Sequence, residues 1–128
     1  MNGIIIYSSQ YGSTKEYAEW IAEDLKLKSI SIKDFNIKDT DKYDFIILGS
    51  SIAAYKLTIT KWLTKNWLKI ENKKIFLFTV SGADPKDKKI QDFIDNSISK
   101  EIQSKIRFYA LHGRMVFNKL PFMVRLLL

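Results

Sequence analysis

At 128 residues the chain has the length of one compact domain, and its 46% hydrophobic and 27% charged residues indicate a globular protein, not a disordered one. It contains no cysteine, which excludes disulfide scaffolds, thiolate metal sites and cysteine nucleophiles. The formal net charge of +7 favours anionic partners, but the lysines are scattered over the chain, and we expect no nucleic-acid role.

The first apolar run, residues 4–7, has no basic stretch before it and is too short for the core of a secretory signal. No apolar segment approaches the roughly 20 residues of a membrane-spanning helix. We therefore expect a cytoplasmic protein with a single domain over residues 1–128.

Four short apolar runs predict buried β-strands over residues 4–7, 45–48, 75–80 and 108–111. They are rich in β-branched and aromatic residues, and their continuous apolarity is typical of parallel strands that are covered on both faces. Residues 29–35 alternate between apolar and polar side chains, which predicts an edge strand with one solvated face.

Segments with helical spacing lie between these strands. Their apolar positions are Ala18, Ile21, Ala22 and Leu25, then Ile59, Trp62, Leu63 and Leu68, then Ile90, Phe93, Ile94 and Ile98. We expect Trp62 and Trp67 to pack against the sheet. Residues 36–44 leave room only for a turn or a short helix, and residues 114–128 only for a closing helix shorter than such a fold normally has.

The alternation of strand and helix predicts a doubly wound α/β domain. Its expected form is a three-layer sandwich around a five-stranded parallel sheet in the order 2-1-3-4-5. Ligands of such sheets bind at the carboxyl ends of the strands, beside the point where the strand order reverses. The loops after strands one, three and four are therefore the candidate site.

The loop after strand one, residues 8–16, is rich in hydroxyl groups and opens into a helix. The N–H groups and the positive dipole end of a helix amino terminus bind phosphate. The loop has neither the spacing of an NTPase loop nor that of a dinucleotide fold, so a mononucleotide phosphate is the expected ligand. The alternative interpretation is structural, with Thr14 as a helix cap and Gly12 as a turn residue.

Residues 7–14, YSSQYGST, resemble the FMN-phosphate loop of flavodoxins, and residues 43–51, YDFIILGSS, resemble their third strand and first flavin loop. The resemblance implies a flavodoxin-like fold, an FMN cofactor and redox chemistry carried by the flavin, with no catalytic side chain required. By position it implies that the residues against FMN are Ser9, Gln10, Tyr11, Gly12, Ser13, Thr14, Ser50, Ser51, Ile52, Ala53, Ala54, Tyr55, Ser81, Gly82, Ala83 and Asp84.

Within that superfamily the chain is most similar to the menaquinone-dependent protoporphyrinogen oxidases. The similar residues are 48–52, LGSSI, then Tyr55, residues 110–115, ALHGRM, and the pair Phe122 and Met123. This resemblance implies an oxidoreductase that takes electrons from a porphyrinogen and passes them to a quinone.

Two positions depart from the electron-carrier flavodoxins. Ala53 and Pro85 stand where those proteins commonly have aromatic residues that sandwich the flavin, and Tyr55 is the nearest aromatic substitute. An open ring face would admit a planar substrate. Ala54 stands where flavodoxins commonly have a glycine whose peptide turns over to hydrogen-bond the reduced flavin. Because an alanine pays a steric cost at positive φ, we expect weak stabilisation of one-electron reduced flavin.

Two alternative functions remain. One is an electron-carrier flavodoxin, although such carriers are typically acidic, and a net charge of +7 has the wrong sign for docking on basic reductases. The other is a flavodoxin-shaped interaction protein without a cofactor. The only histidine is His112, so the sequence offers neither a histidine zinc cluster nor a Ser-His-Asp set.

The last residues, 120–128, read LPFMVRLLL and are apolar almost all round a helix. Such a helix has no polar face for water. We therefore expect homo-oligomerisation or peripheral contact with the inner face of the cell membrane, where a quinone acceptor would reside.

Overall fold

The computed structural model describes residues 2–9, 12–82 and 87–112. Strands and helices alternate along these residues. The strands are β1 Gly3–Ser8, β2 Lys28–Ser31, β3 Phe45–Ala53, β4 Lys56–Leu57, β5 Lys74–Ser81 and β6 Ile106–His112. The helices are α1 Ser13–Leu25, α2 Thr60–Ile70, α3 Lys89–Ser97 and α4 Lys100–Gln103, with a 3₁₀ helix at Ile37–Lys42.

Five strands form a parallel sheet in the order β2-β1-β3-β5-β6. This confirms the predicted order, since β5 and β6 are the fourth and fifth strands of the prediction. The sequence did not predict β4, which pairs antiparallel with the end of β3. The register sets Ser8, the last residue of β1, opposite Ser50, so β3 continues from Ser51 to Ala53 beyond the end of β1.

The continuous apolar run in β1 is explained by helices on both faces of the sheet. Ile4 and Ile6 pack into the core on the side of α2 and α3, whereas Ile5 packs on the side of α1. All three are at most 1% exposed. Successive residues of a strand point to opposite faces of the sheet. Three consecutive isoleucines are therefore all buried only where both faces of the sheet are covered.

Helix α2 follows the predicted spacing with one correction. Leu68 was expected on the apolar face, but it is 84% exposed, and Trp67 is buried in its place. The two residues are neighbours in sequence and about 100° apart around a helix, so only one can face the sheet. Trp62 packs edge-to-face on Phe35 with ring centroids 6.3 Å apart, so both tryptophans pack as predicted.

The edge strand is shorter than the predicted 29–35. It ends at Ser31, where the backbone N–H groups of Asp34 and Phe35 both donate to the Ser31 carbonyl at 3.0 Å and close a turn.

The connection predicted over residues 36–44 is confirmed as the short 3₁₀ helix. The predicted closing helix over residues 114–128 lies outside the described residues. In the described part of the chain, no helix has the length and apolarity to cross a membrane.

Candidate functional site

The carboxyl ends of β1 and β3 form the crevice of the sheet. The chain leaves β1 into α1 on one face and leaves β3 towards α2 on the other face. The two connections therefore diverge and leave a groove between adjacent strands, the place where open α/β sheets bind ligands.

The loop after β1 gathers N–H donors at the start of α1. The Ser9 hydroxyl oxygen accepts from the N–H of Gly12 at 3.0 Å and from the N–H of Lys15 at 3.4 Å. Gly12 is the N-cap residue with a φ of +92°, a conformation that favours glycine. The structural alternative for Thr14 as the cap is therefore wrong. These donors converge on one oxygen, an arrangement that suits an anion.

Thr14 ties α1 to β3. It is completely buried, and its hydroxyl lies 2.6 Å from the hydroxyl of Ser51. Ser51 lies near the carboxyl end of β3. The hydrogen bond therefore crosses the crevice between α1 and β3. It fixes the distance between the two loops that a flavin would contact.

Thr58 holds the end of β3 against β1, and the sequence analysis missed it. Its hydroxyl donates to the carbonyls of Ser51 at 3.2 Å and Ser8 at 3.4 Å, and it accepts from the Ser51 N–H at 3.2 Å. No sequence pattern identifies this residue, because its position depends on the unpredicted β3–β4 hairpin.

Two residues of the LGSS segment, Gly49 and Ser50, make contacts within the protein itself. Ser50 is completely buried, donates to the Ser51 carbonyl at 2.9 Å and accepts from the Ile59 N–H at 3.2 Å. A Cβ at Gly49 would lie 2.4 Å from the ring of the buried Phe78. These positions therefore shape the sheet under the crevice.

The turn between β3 and β4 has an unusual backbone. Ala53 pairs with Lys56, and both residues between them have positive φ, +50° at Ala54 and +66° at Tyr55. Positive φ at both central positions defines the type I′ hairpin, which normally selects Asn and Gly. Ala54 adopts this conformation at the steric cost expected of an alanine, because the hairpin pairing imposes it. The expected weak stabilisation of one-electron reduced flavin stays a prediction.

Tyr55 points towards α3. Its ring lies 5.8 Å from the ring of Phe93, and the residue is 73% exposed. Ala53, Ala54 and Tyr55 are not among the residues that line the cleft described next, and their predicted contact with FMN stays a prediction.

Six predicted residues line a cleft of about 260 Å³ at the crevice, together with one residue that was not predicted, Val80. The lining residues are Ser13, Thr14, Ser51, Ile52, Val80, Ser81 and Gly82. A cleft of about 320 Å³ beside it is lined in part by Ser9, Gly12, Lys15 and Lys33. The predicted residues Gln10, Tyr11, Ala83 and Asp84 lie outside the described residues, and so does the side chain of His112.

The chemistry of these walls fits a phosphorylated ring compound. N–H donors and hydroxyl groups lie at the start of α1, and the apolar side chains of Ile52 and Val80 lie in the neighbouring cleft. Among the described residues, a Cβ at Gly82 would meet nothing within 4 Å, so they leave space for a ligand at that point.

Comparisons with known proteins agree with this geometry. The family model of the flavodoxin domain matches residues 4–128. No curated protein sequence matches the chain significantly.

Several solved structures share the fold at low sequence identity. The two-electron reduced flavodoxin of Megasphaera elsdenii is 22% identical, with a TM-score of 0.69 over 91% of this chain and 89% of its own. Oxidised flavodoxin 1 of Bacillus cereus is 17% identical, with a TM-score of 0.65 over 98% and 94%. The Trp repressor binding protein of Bacillus subtilis is 16% identical, with a TM-score of 0.69 over 99% and 98%.

Proposed function

Because the chain belongs to the flavodoxin domain family, we propose that it binds FMN between the carboxyl ends of β1 and β3 and acts as a redox protein. The observation that carries this proposal is the convergence of the Gly12 and Lys15 N–H groups on the oxygen of Ser9. Both N–H groups lie at the amino terminus of α1, where the helix dipole also favours an anion.

The proposed phosphate site uses groups that the chain already holds in place. An FMN phosphate would accept from the N–H groups at the start of α1 and from the hydroxyls of Ser9, Ser13 and Thr14. The Thr14–Ser51 hydrogen bond of 2.6 Å keeps this loop close to β3, so the phosphate and ring sites stay at a fixed separation.

The cleft of Ser51, Ile52 and Val80, which Ser81 and Gly82 also line, would hold the flavin ring. Bound flavin would supply the one- and two-electron chemistry. The chain would contribute burial against Ile52 and Val80, and polar groups of β5 that orient the ring. In such a site the protein supplies position and electrostatics, and it needs no acid or base of its own.

Within this class we propose an FMN-dependent oxidoreductase that resembles the menaquinone-dependent protoporphyrinogen oxidases, with a porphyrinogen donor and a quinone acceptor. Among the described residues that line the cleft, none carries an aromatic ring, and Tyr55 lies against Phe93 instead. An uncovered ring face favours a planar substrate over a carrier role. The net charge of +7 also supports this class against an acidic carrier.

Titration of the flavin-free protein with FMN, followed by quenching of flavin fluorescence, tests the cofactor site. Ser9→Ala should weaken binding by about tenfold or more, because a hydrogen bond to a charged group contributes roughly 1.5–3 kcal/mol. Ser99→Ala is the matched control, because Ser99 accepts from the Ile102 N–H at the start of α4, far from the crevice.

The control variant should bind FMN as the parent does. Equal affinity of Ser9→Ala and the parent would show that the phosphate site is misplaced. Failure of the parent to bind FMN would instead favour the cofactor-free interaction protein.

The reaction class is tested separately with FMN-loaded protein and a chemically reduced porphyrin. We expect porphyrin formation, coupled to reduction of an added quinone in stoichiometric electron balance. FMN binding without porphyrin formation would leave the cofactor site intact and favour the electron carrier.

A further inference from the structure

A second cleft, which we call the α3–β6 cleft, lies on the opposite face of the sheet. It has a volume of about 290 Å³. Its lining residues are Thr79, Asp87, Ile90, Gln91, Ile94, Phe108, Tyr109 and Ala110. Thr79 and Val80 are consecutive in β5 and point to opposite faces, so this cleft and the FMN cleft flank the same strand end.

Among the described residues, helices cover only the amino-terminal part of this face of β6, which leaves the cleft beside α3. Ile106, at the amino end of the strand, is buried under the short helix α4. Phe108 and Ala110, which follow on the same face, remain half-buried. The carboxyl half of β6 therefore presents an apolar floor beside α3.

Thr79 places a free hydroxyl at this floor. The residue is only 2% exposed and pairs with Ala110 across the sheet. Within the described part of the chain its hydroxyl has no hydrogen-bond partner, unlike the hydroxyls of Thr14, Ser50 and Thr58. Among the described residues, no fully buried side-chain oxygen or nitrogen lacks a hydrogen-bond partner, so the small exposed part of Thr79 includes this oxygen. A ligand in the cleft can therefore reach the hydroxyl and form a hydrogen bond with it.

The walls define the chemistry of that ligand. Ile90 and Ile94 of α3 face Phe108 across the cleft and offer an apolar slot. Its volume is about twice that of a dry protein cavity of roughly 150 Å³ that accepts benzene, so it accommodates two fused rings. The carboxylate of Asp87 at the rim disfavours anions.

We propose that the α3–β6 cleft binds a neutral, planar, apolar molecule of about two fused rings whose single hydroxyl or carbonyl group pairs with the Thr79 hydroxyl. This site is separate from the FMN site and does not require flavin. Its position on the other side of β5 would bring the two ligands next to the same strand end.

The probes are 2-naphthol and naphthalene, which differ by one hydroxyl group. Methyl NMR of the full chain should show 2-naphthol shifting the methyl groups of Ile90, Ile94 and Ala110, while that of Ile52 in the FMN cleft stays unchanged. No shift at the first three, or larger shifts at Ile52, would overturn the proposal.

Substitution of the hydroxyl group tests the pairing. Thr79→Val should weaken 2-naphthol binding roughly two- to tenfold and leave naphthalene binding within about twofold, as expected for loss of one hydrogen bond. Thr64→Val is the matched control, because Thr64 is exposed on α2. Thr79→Ser, which keeps the hydroxyl, should bind both probes as the parent does.

Equal loss of both probes in Thr79→Val would refute the hydrogen bond, and so would no loss of either. Should Thr79→Val fail to fold, the preference of the parent for 2-naphthol over naphthalene decides the matter. Equal affinity for the two probes would then overturn the role of Thr79. Because FMN titration is a separate measurement, this proposal can fail while the flavin site stands.

Discussion

Replacement of Ala54 with glycine should stabilise the protein, because Ala54 occupies the left-handed region at a φ of +50°. That conformation costs a residue with a Cβ roughly 1–2 kcal/mol and costs glycine almost nothing. Glycine makes the unfolded chain more flexible, which offsets about 0.4–1 kcal/mol of the gain. The net expectation is a rise of about 0.5–1 kcal/mol in the free energy of unfolding.

Ala53 provides the control in the adjacent position. It lies in β3, paired with Lys56, and its φ is not positive. Ala53→Gly should therefore lower the free energy of unfolding by about 0.5–1 kcal/mol, since glycine weakens a strand. The same chemical change at neighbouring residues is expected to have opposite signs.

Urea denaturation of flavin-free protein measures both variants. We expect the midpoint to rise for Ala54→Gly and to fall for Ala53→Gly, with unchanged slopes. The melting temperature of Ala54→Gly should rise by about 2–6 °C for a domain of this size. If both variants lose stability, the turn does not hold Ala54 at positive φ, and the interpretation of residues 53–56 as a type I′ hairpin is wrong.

Three further predictions concern other parts of the chain. Gly49→Ala should destabilise the protein by about 1–3 kcal/mol in urea denaturation, because the new Cβ would overlap the buried ring of Phe78. Hydrogen bonds from Lys100, Gln91 and Gln103 lower the pKa of Asp95 below its ordinary value of 3.8, so Asp95→Asn should lower the melting temperature at neutral pH, and the difference from the parent should shrink as the pH falls below 3.8 and through the lowered pKa. Sedimentation with anionic vesicles should recover the full chain, and a variant with residues 126–128 changed to serine should stay in solution; a monomer that ignores vesicles would refute membrane contact and self-association through residues 120–128.

The strands of the sheet could be predicted from the sequence because each is marked by a short apolar run of its own residues. An uninterrupted run such as Ile4 to Ile6 is buried only in a strand covered on both faces, and the structure buries all three. Leu68 shows the limit of the same reasoning. Trp67 and Leu68 are both apolar, and spacing alone does not decide which of two neighbours turns inward; burial of the larger tryptophan removes more apolar surface from water.

The hairpin could not be predicted because its turn contains neither Asn nor Gly. Local rules require those residues for two positive φ angles, whereas the chain uses Ala54 and Tyr55. The pairing of Ile52 with Leu57 holds this turn in place through contacts outside its four residues. Thr58 follows the hairpin. The hydrogen bonds between Thr58 and Ser51 could therefore not be predicted from the sequence either.

The residues that carry the resemblance divide into those that build the crevice and those that face it. Gly49 makes room for Phe78, and Ser50 bonds to its own strand and to the start of α2, so a protein without flavin would need both. Ser9 differs, because its oxygen accepts hydrogen bonds from two N–H groups that could instead donate to an anion. The flavin hypothesis therefore depends more on the loop after β1 than on the LGSS segment. A relative that kept LGSS but lost the Ser9 hydroxyl and the positive φ at Gly12 would retain the fold without the phosphate site.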